Sequence, residues 1–405
     1  MMRKIGLLFG LLLVLLAGCK EDNLHVPYGT DDGKAPGTVK VLSYTPFAGG
    51  AEIKFQSPGD EDLMYIVARY KIASGKEMES KVSAYSGSLK VEGFGNTDEQ
   101  QVTLYAVDRM ENRGEAVTYK IRPLTPSYIE AYKTLRMHET FGGLAVALQN
   151  PSADDLTIEV LTEDAPDQWS TAHTQYTAAK KVEFAVRGYE PQDRKFGVTI
   201  RDRWGNSTDT VYTEVVPLEE HELDKKKFRE VILNNDTPMN AWGHSMSNIW
   251  NGSHRWGDSS DMAHSPQTGS EKMPIWFTFD LGVTAKLSRY MYWQRQEENE
   301  LYKHGNMKEW EVWGRADKPD ISGSWDGWTL LTRCESKKPS GLPLGQISNE
   351  DIEYAKAGEE FEFPMDAPAV RYIRIKALST FAGTSFIHLT EVTFYGSVVK
   401  TGNSL

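Results

Sequence analysis

Cysteine is nearly absent from this 405-residue chain, which has only Cys19 and Cys334. No internal disulfide framework can be built from them, so the fold has to hold by packing alone. The nine histidines include no short-spaced pair. His244, His254 and His264 recur every ten residues in loop-like sequence, a spacing that does not make a zinc site. Positive charge is also in deficit, with a formal net charge of −12. Phosphate contact needs lysine and arginine in excess, so nucleic acid is excluded as a partner. Long apolar runs are missing except one, Leu7–Leu16, broken only by Gly10. Such a run is too short for a permanent membrane span.

That run follows Arg3 and Lys4 and leads into Leu16-Ala17-Gly18-Cys19. A basic start, a short apolar stretch and small residues before a cleavage point describe a secretory signal over residues 1–18. The Cys directly after the small residues resembles the lipobox of bacterial lipoproteins. The resemblance implies that Cys19 is acylated and holds the mature chain to a membrane. Lys20-Glu21-Asp22 resembles the export signal that places lipoproteins of the Bacteroidota on the outer face of the outer membrane. Residues 19–35 read as a flexible tether. Removal of the leader takes Arg3 and Lys4 away and moves the net charge from −12 to −14.

The remainder is too long for one core and divides by pattern. Gly49, Gly50, Ile53, Phe55, Gln56 and Pro58 recur 93 residues later as Gly142, Gly143, Val146, Leu148, Gln149 and Pro151. Asp108-Arg109-Met110-Glu111-Asn112 recurs as Asp202-Arg203-Trp204-Gly205-Asn206. Period-two alternation in Ala51-Ile53-Phe55 and Val102-Leu104-Ala106 reads as half-buried strands. The spacing predicts two similar β-sandwich domains over 36–124 and 125–217, with a partly helical joint at Thr125–Arg136. The first resembles fibronectin type III domains, and the second a divergent Ig-like copy.

After the charged stretch Leu218–Lys227 the composition changes, and nine of the eleven tryptophans lie beyond it. Pro274-Ile275-Trp276-Phe277-Thr278-Phe279-Asp280-Leu281-Gly282, Arg289–Gln296, Lys308–Gly314, Ala369–Lys376 and His388–Gly396 follow in order. These stretches resemble the discoidin-like (coagulation factor type C, galactose-binding-like) jelly roll, over 218–399. The expected architecture is therefore all-β: two Ig/fibronectin-III-like sandwiches and a C-terminal discoidin-like jelly-roll β-sandwich. Trp276, Trp310, Trp313 and Trp328 fall within strand patterns and are expected in the core.

Loop aromatics beside amide, imidazole and guanidinium groups suit a sugar, whose C–H faces stack on rings while its hydroxyls take hydrogen bonds. Trp242, His244 and Trp256 meet that description. In the carbohydrate-binding members of the family an Arg after the second core strand contacts the sugar, a role the resemblance passes to Arg295; the alternative is an ion pair with Glu297 or Glu298. Phe381 and Phe386 occupy the loop where members place another contact aromatic. The resemblance also implies a structural calcium ion beside Asn251 and Glu391, although Asn stands where the family has Asp. The reading is a glycan-binding surface lipoprotein serving an outer-membrane importer of a polysaccharide-utilisation system. A protein-interaction or adhesion role is the alternative. A hydrolase using a carboxylate pair such as Asp258 and Asp261 is the remaining one.

Overall fold

The computed structural model describes residues 33–258, 260–267 and 272–399, so the leader and Cys19 lie outside the described residues. The architecture is all-β, in the order the sequence predicts, with three separate hydrophobic cores.

In the first sandwich, strands β1 (Lys40–Phe47), β2 (Gly50–Gln56) and β5 (Ser88–Glu92) form one sheet. β3 (Leu63–Lys71), β4 (Glu77–Ser83), β6 (Gln100–Asp108) and β7 (Val117–Ile121) form the other, in the order β4-β3-β6-β7. A short helix α1 (Ser127–Lys133) leads into the second sandwich. There β8 (Arg136–Thr140), β9 (Gly143–Gln149) and β12 (Lys181–Val186) face β10 (Leu156–Ala165), β11 (Gln168–Thr177), β13 (Arg194–Asp202) and β14 (Val211–Val215). The pairing order is the same as in the first unit. Ile53 and Phe55, like Val146 and Leu148, point inward at alternate positions because side chains in a strand alternate faces.

The repeated residues are those the repeated turns require. Gly49 and Gly142 hold φ of 63° and 68°. A Cβ on Gly50 would lie 2.6 Å from the Val91 carbonyl, and one on Gly143 only 1.9 Å from that of Val186. Asp108 Oδ1 accepts hydrogen bonds from the Met110 and Asn112 amides, and Asp202 Oδ1 accepts them from Trp204 and Asn206. The sandwiches are fastened at their joint. Asn206 Nδ2 donates to the Gly93 carbonyl at 3.1 Å, and the Tyr128 hydroxyl donates to that of Gly95 at 2.9 Å.

The third unit opens with β15 (His221–Glu222) and β16 (Arg229–Val231), followed by the short β17 (Ala263–His264). β18 (Ile275–Trp293) serves both layers, turning sharply at Gly282. Its first part, to Asp280, pairs with β16 and β22 (Val370–Thr380), which continues to β19 (Met307–Arg315) and β20 (Thr329–Glu335). Its second part, from Ala285, pairs with β24 (Glu391–Val398) and β21 (Glu359–Glu362). Helix α2 (Asn349–Ala357) precedes β21, and β23 (His388–Leu389) pairs with β17. Phe277, Phe279, Tyr290, Trp310, Ile375 and Phe394 meet between the layers, each with no more than 1% exposure.

Two tryptophan expectations need correction. Trp310 and Trp328 are buried, but Trp276 and Trp313 are only half-buried. Ile275 and Phe277 already take the inward positions, so alternation sends Trp276 to the outer face of its sheet. Trp313 follows inward-facing Val312 for the same reason.

The second and third units share one ionic joint. The Glu220 carboxylate, with side-chain exposure of 9%, lies 3.6 Å from Arg187 and 3.2 Å from Arg289, and accepts the Ser288 hydroxyl at 2.5 Å. Arg187 also pairs with Glu362, and Arg289 with Glu360 at 2.8 Å. Removing one partner of a buried charge cluster leaves the others desolvated and uncompensated, at a cost of about 3–5 kcal/mol. Glu220→Ala is expected to split calorimetric unfolding into separate transitions for the second and third units. A single unshifted transition would show that the joint does not couple them.

Candidate functional site

The loops at one end of the third sandwich are held by buried side chains. Asn306 is fully buried. Its Oδ1 accepts the Arg295 amide at 3.0 Å, and its Nδ2 donates to the Glu300 carbonyl at 2.7 Å. The Asn306 carbonyl accepts the Phe381 amide, bringing in the 380–386 loop. His388 Nε2 accepts the Gly305 amide at 3.2 Å.

Around this frame three rings lie nearly parallel. His264 is 6.1 Å from His244 and 5.5 Å from Phe386, at interplanar angles of 13° and 12°. His264 Nδ1 donates to the Ser265 carbonyl at 2.6 Å. Burial, reinforced by His244, Arg295 and His304, lowers the His264 pKa. Burial lowers that of His388 still further, and His264, Arg295 and His304 beside it also oppose its protonation. Both rings therefore stay neutral at pH 7. Arg295 Nε donates to Glu297 Oε2 at 2.6 Å, and Nη1 lies 4.0 Å from Glu300. His304 Nδ1 is 2.9 Å from the same Glu300, while its side chain is 52% exposed. The Arg295–Glu297 pair read as the alternative in the sequence is thus present. It orients the guanidinium without covering it, since the side chain retains 20% exposure.

Trp242 joins this end through Asn240, which bridges to His264. Its side chain is 74% exposed, and its backbone sits at φ 60°, ψ 24°. Tyr302 and His304 also have positive φ, 51° and 50°. Such conformations cost of order 1–3 kcal/mol each and cluster at ligand sites, where the surroundings enforce them.

The structure brings together Trp242, His244, Arg295 and Phe386, and adds His264 and His304. Two other expected residues have ring contacts of their own. Phe381 stands edge-on to Tyr302 at 5.3 Å and packs on the small cluster of Leu301, Tyr302 and Ala355. Trp256 lies under the Lys356 ammonium at 4.8 Å, and the Gly257 amide beside it donates to the Gln296 carbonyl at 2.6 Å. Asp258 and Asp261 both face Arg255, at 3.1 and 3.6 Å, as an ordinary surface ion pair. His264 was legible only as a loop histidine and His304 not at all, because nothing in their spacing announces a shared end.

The calcium expectation meets a different cation. Glu391 is fully buried; its Oε1 lies 2.7 Å from Lys225 Nζ, and its Oε2 accepts the Gly252 amide at 3.1 Å. Asn251 turns its carbonyl to the Ser253 amide and its amide to Asp261. A hard cation wants several free oxygen ligands; here one carboxylate is neutralised by ammonium and the Asn oxygen is engaged. The residues do not fit calcium. Calcium or a chelator is expected to leave the melting temperature unchanged. Lys225→Met strands a buried carboxylate and is expected to lose about 3 kcal/mol in denaturant unfolding. A chelator-sensitive melt would overturn this assignment.

Two small sandwiches of one topology, carrying a larger sandwich with a polar-aromatic loop end, define a modular all-β protein. Family models described as domains of unknown function match residues 36–123 (DUF4959), 124–226 (DUF5126) and 250–396 (DUF5000). A solved SusE-like protein of Bacteroides is 41% identical, with 68% of this chain and 100% of that chain covered and a TM-score of 0.47. The chain belongs to the SusE-like family. It is also similar to the CBM32-3 module of a family 31 glycoside hydrolase from Clostridium perfringens (17% identity, 44% of this chain and 95% of that one, TM-score 0.32). A family 32 carbohydrate-binding module of Clostridium perfringens NanJ, solved with galactose, gives 16% identity over 44% of this chain and 98% of that one, TM-score 0.30. The comparison with curated proteins found no match.

Proposed function

We propose that this chain is a cell-surface lipoprotein, held to the outer membrane by acylated Cys19, whose C-terminal domain captures a glycan for an outer-membrane importer. The observation that carries the reading is the loop end itself. An exposed indole in a strained backbone, a guanidinium oriented by Glu297 and a histidine with an open edge stand beside the stacked rings of His244, His264 and Phe386. A sugar needs that combination: aromatic faces for its C–H groups and fixed donors and acceptors for its hydroxyls. Membership in the SusE-like family supports a place in polysaccharide utilisation. The role is binding, with Arg295 and His304 as hydroxyl partners and Trp242 and Phe386 as stacking surfaces.

Native gels cast with soluble polysaccharides test the head. Arg295→Ala and Trp242→Ala are each expected to weaken retardation at least tenfold, about 1.4 kcal/mol. Trp242→Ala should leave the melting temperature unchanged, because its side chain stands in solvent. If both variants bind as tightly as the native chain, the loop end is not the site. A chain that co-purifies with importer subunits yet binds no glycan would favour the protein-interaction reading. For the anchor, Cys19→Ser is expected to move the protein from the membrane fraction to the soluble one.

A further inference from the structure

We infer that the third domain carries a second carbohydrate-binding surface, on the outer face of the β16-β18-β22-β19-β20 sheet rather than at its loop end. The inference rests on the reading of this chain as a glycan binder and extends it to a ligand several sugars long.

The surface is built around Trp325. Its ring stands at 72° to Trp276, with centroids 5.5 Å apart, and at 67° to Trp313, at 5.2 Å. Trp276 and Trp313 are the residues that alternation turns out of the core, and all three indoles are half-exposed. Trp276, Trp325, Asn235, Ser322, Gly323 and Ser324 line an open cleft of about 610 Å³. Two indoles near a right angle form a corner in which one ring face can stack on a pyranose while the other closes its edge.

The corner is held rigidly from below. The Arg374 guanidinium, with no exposed surface, lies 4.5 Å from the Trp325 ring and 4.6 Å from that of Trp328, and Lys376 Nζ is 5.5 Å from Trp325. Asp236 lies 3.4 Å from Arg374 and balances its charge. The wall is equally fixed. The Asn234 amide donates to the Ile321 carbonyl at 2.9 Å, and a Cβ on Gly323 would fall 1.8 Å from the Asn234 carbonyl. The exposed Asn235 amide makes no side-chain hydrogen bond among the described residues, and the Ser322 hydroxyl donates to none. Both are placed to meet ligand hydroxyls.

Access is open because the second domain docks on the opposite sheet, against Arg289, Glu360 and Glu362. Asn235 and Trp242 are seven positions apart, at most roughly 24 Å of extended chain. One polysaccharide strand can therefore span the cleft and the loop end.

The test uses the full mature chain in native gels containing a soluble galactan, glucan or mannan, with four variants. These are Trp242→Ala/Arg295→Ala, Trp325→Ala, Asn235→Ala/Ser322→Ala, and the first pair combined with the last. The Asn235/Ser322 pair leaves all three indoles in place, and a melting temperature measured beside each gel separates binding from any packing role of Trp325 or of the Asn235 turn. The expected result is that the loop-end pair keeps measurable retardation, that Trp325→Ala and the Asn235/Ser322 pair each lose at least fivefold, and that the combined variant migrates freely. Retardation of the native chain that is unchanged by Trp325→Ala and by the Asn235/Ser322 pair would overturn the second surface alone. So would complete loss on changing the loop end only. A native chain retarded by no polysaccharide would overturn this inference together with the glycan-binding reading.

Discussion

One buried carboxamide fixes the recognition end of this molecule. Asn306 accepts the amide of Arg295, donates to the carbonyl of Glu300, and receives the Phe381 amide on its own carbonyl. Through those bonds it sets the guanidinium, the Glu300–His304 pair and the 380–386 loop in one arrangement. An amide that reaches two backbone segments inside a core has almost no alternative geometry, because a lost bond there leaves a desolvated polar group. The positive φ at Tyr302 and His304 is sustained by the same fastening. The loop end is rigid before any ligand arrives, so ordering cost on binding is small.

Electrostatics in this domain follow burial more than net charge. The chain is acidic, yet its loop end gathers Arg295, His244, His264 and His304. Beneath the outer sheet Arg374 lies between two indoles, where the weakly hydrated guanidinium tolerates burial that an ammonium would resist. Glu391 shows the converse: burial lifts its pKa, the Lys225 ammonium and the Gly252 amide oppose the rise, and the carboxyl stands at about 7. An internal cation does there what a bound metal ion would otherwise do.

The strand skeleton was legible in the sequence because a two-residue period leaves a plain trace, and because turns repeat the residues they need. The Gly49-Gly50 and Gly142-Gly143 pairs and the Asp108 and Asp202 turns each have one physical cause, read correctly at a spacing of 93 or 94. The helical joint expected within Thr125–Arg136 is the short helix Ser127–Lys133. What alternation could not say is which face of a sheet lies against a core; hence Trp276 and Trp313 were placed inside when Ile275 and Val312 already filled that side. Of the candidate site, Trp242 and His244 were readable as polar-aromatic loop residues, and Arg295 and Phe386 only through the resemblance to the discoidin-like family. His264 and His304 were not, since loops far apart in the chain meet only when two sheets bring their ends together. Phe381 and Trp256 found partners in Tyr302 and Lys356, contacts that no local pattern encodes.

The pairing of β15 with β24 gives the head a direction. His221 lies opposite Gly396, near the sharp turn at Gly282, while Glu391 lies opposite Trp293, beside the recognition loops. Both chain ends of the domain thus leave from its rear, and the stretch from Ala285 to Trp293, about 26 Å at roughly 3.3 Å per residue, separates them from the front. The loop end therefore points away from the second domain, and the segment that follows β24 leaves from the rear without shading the loops.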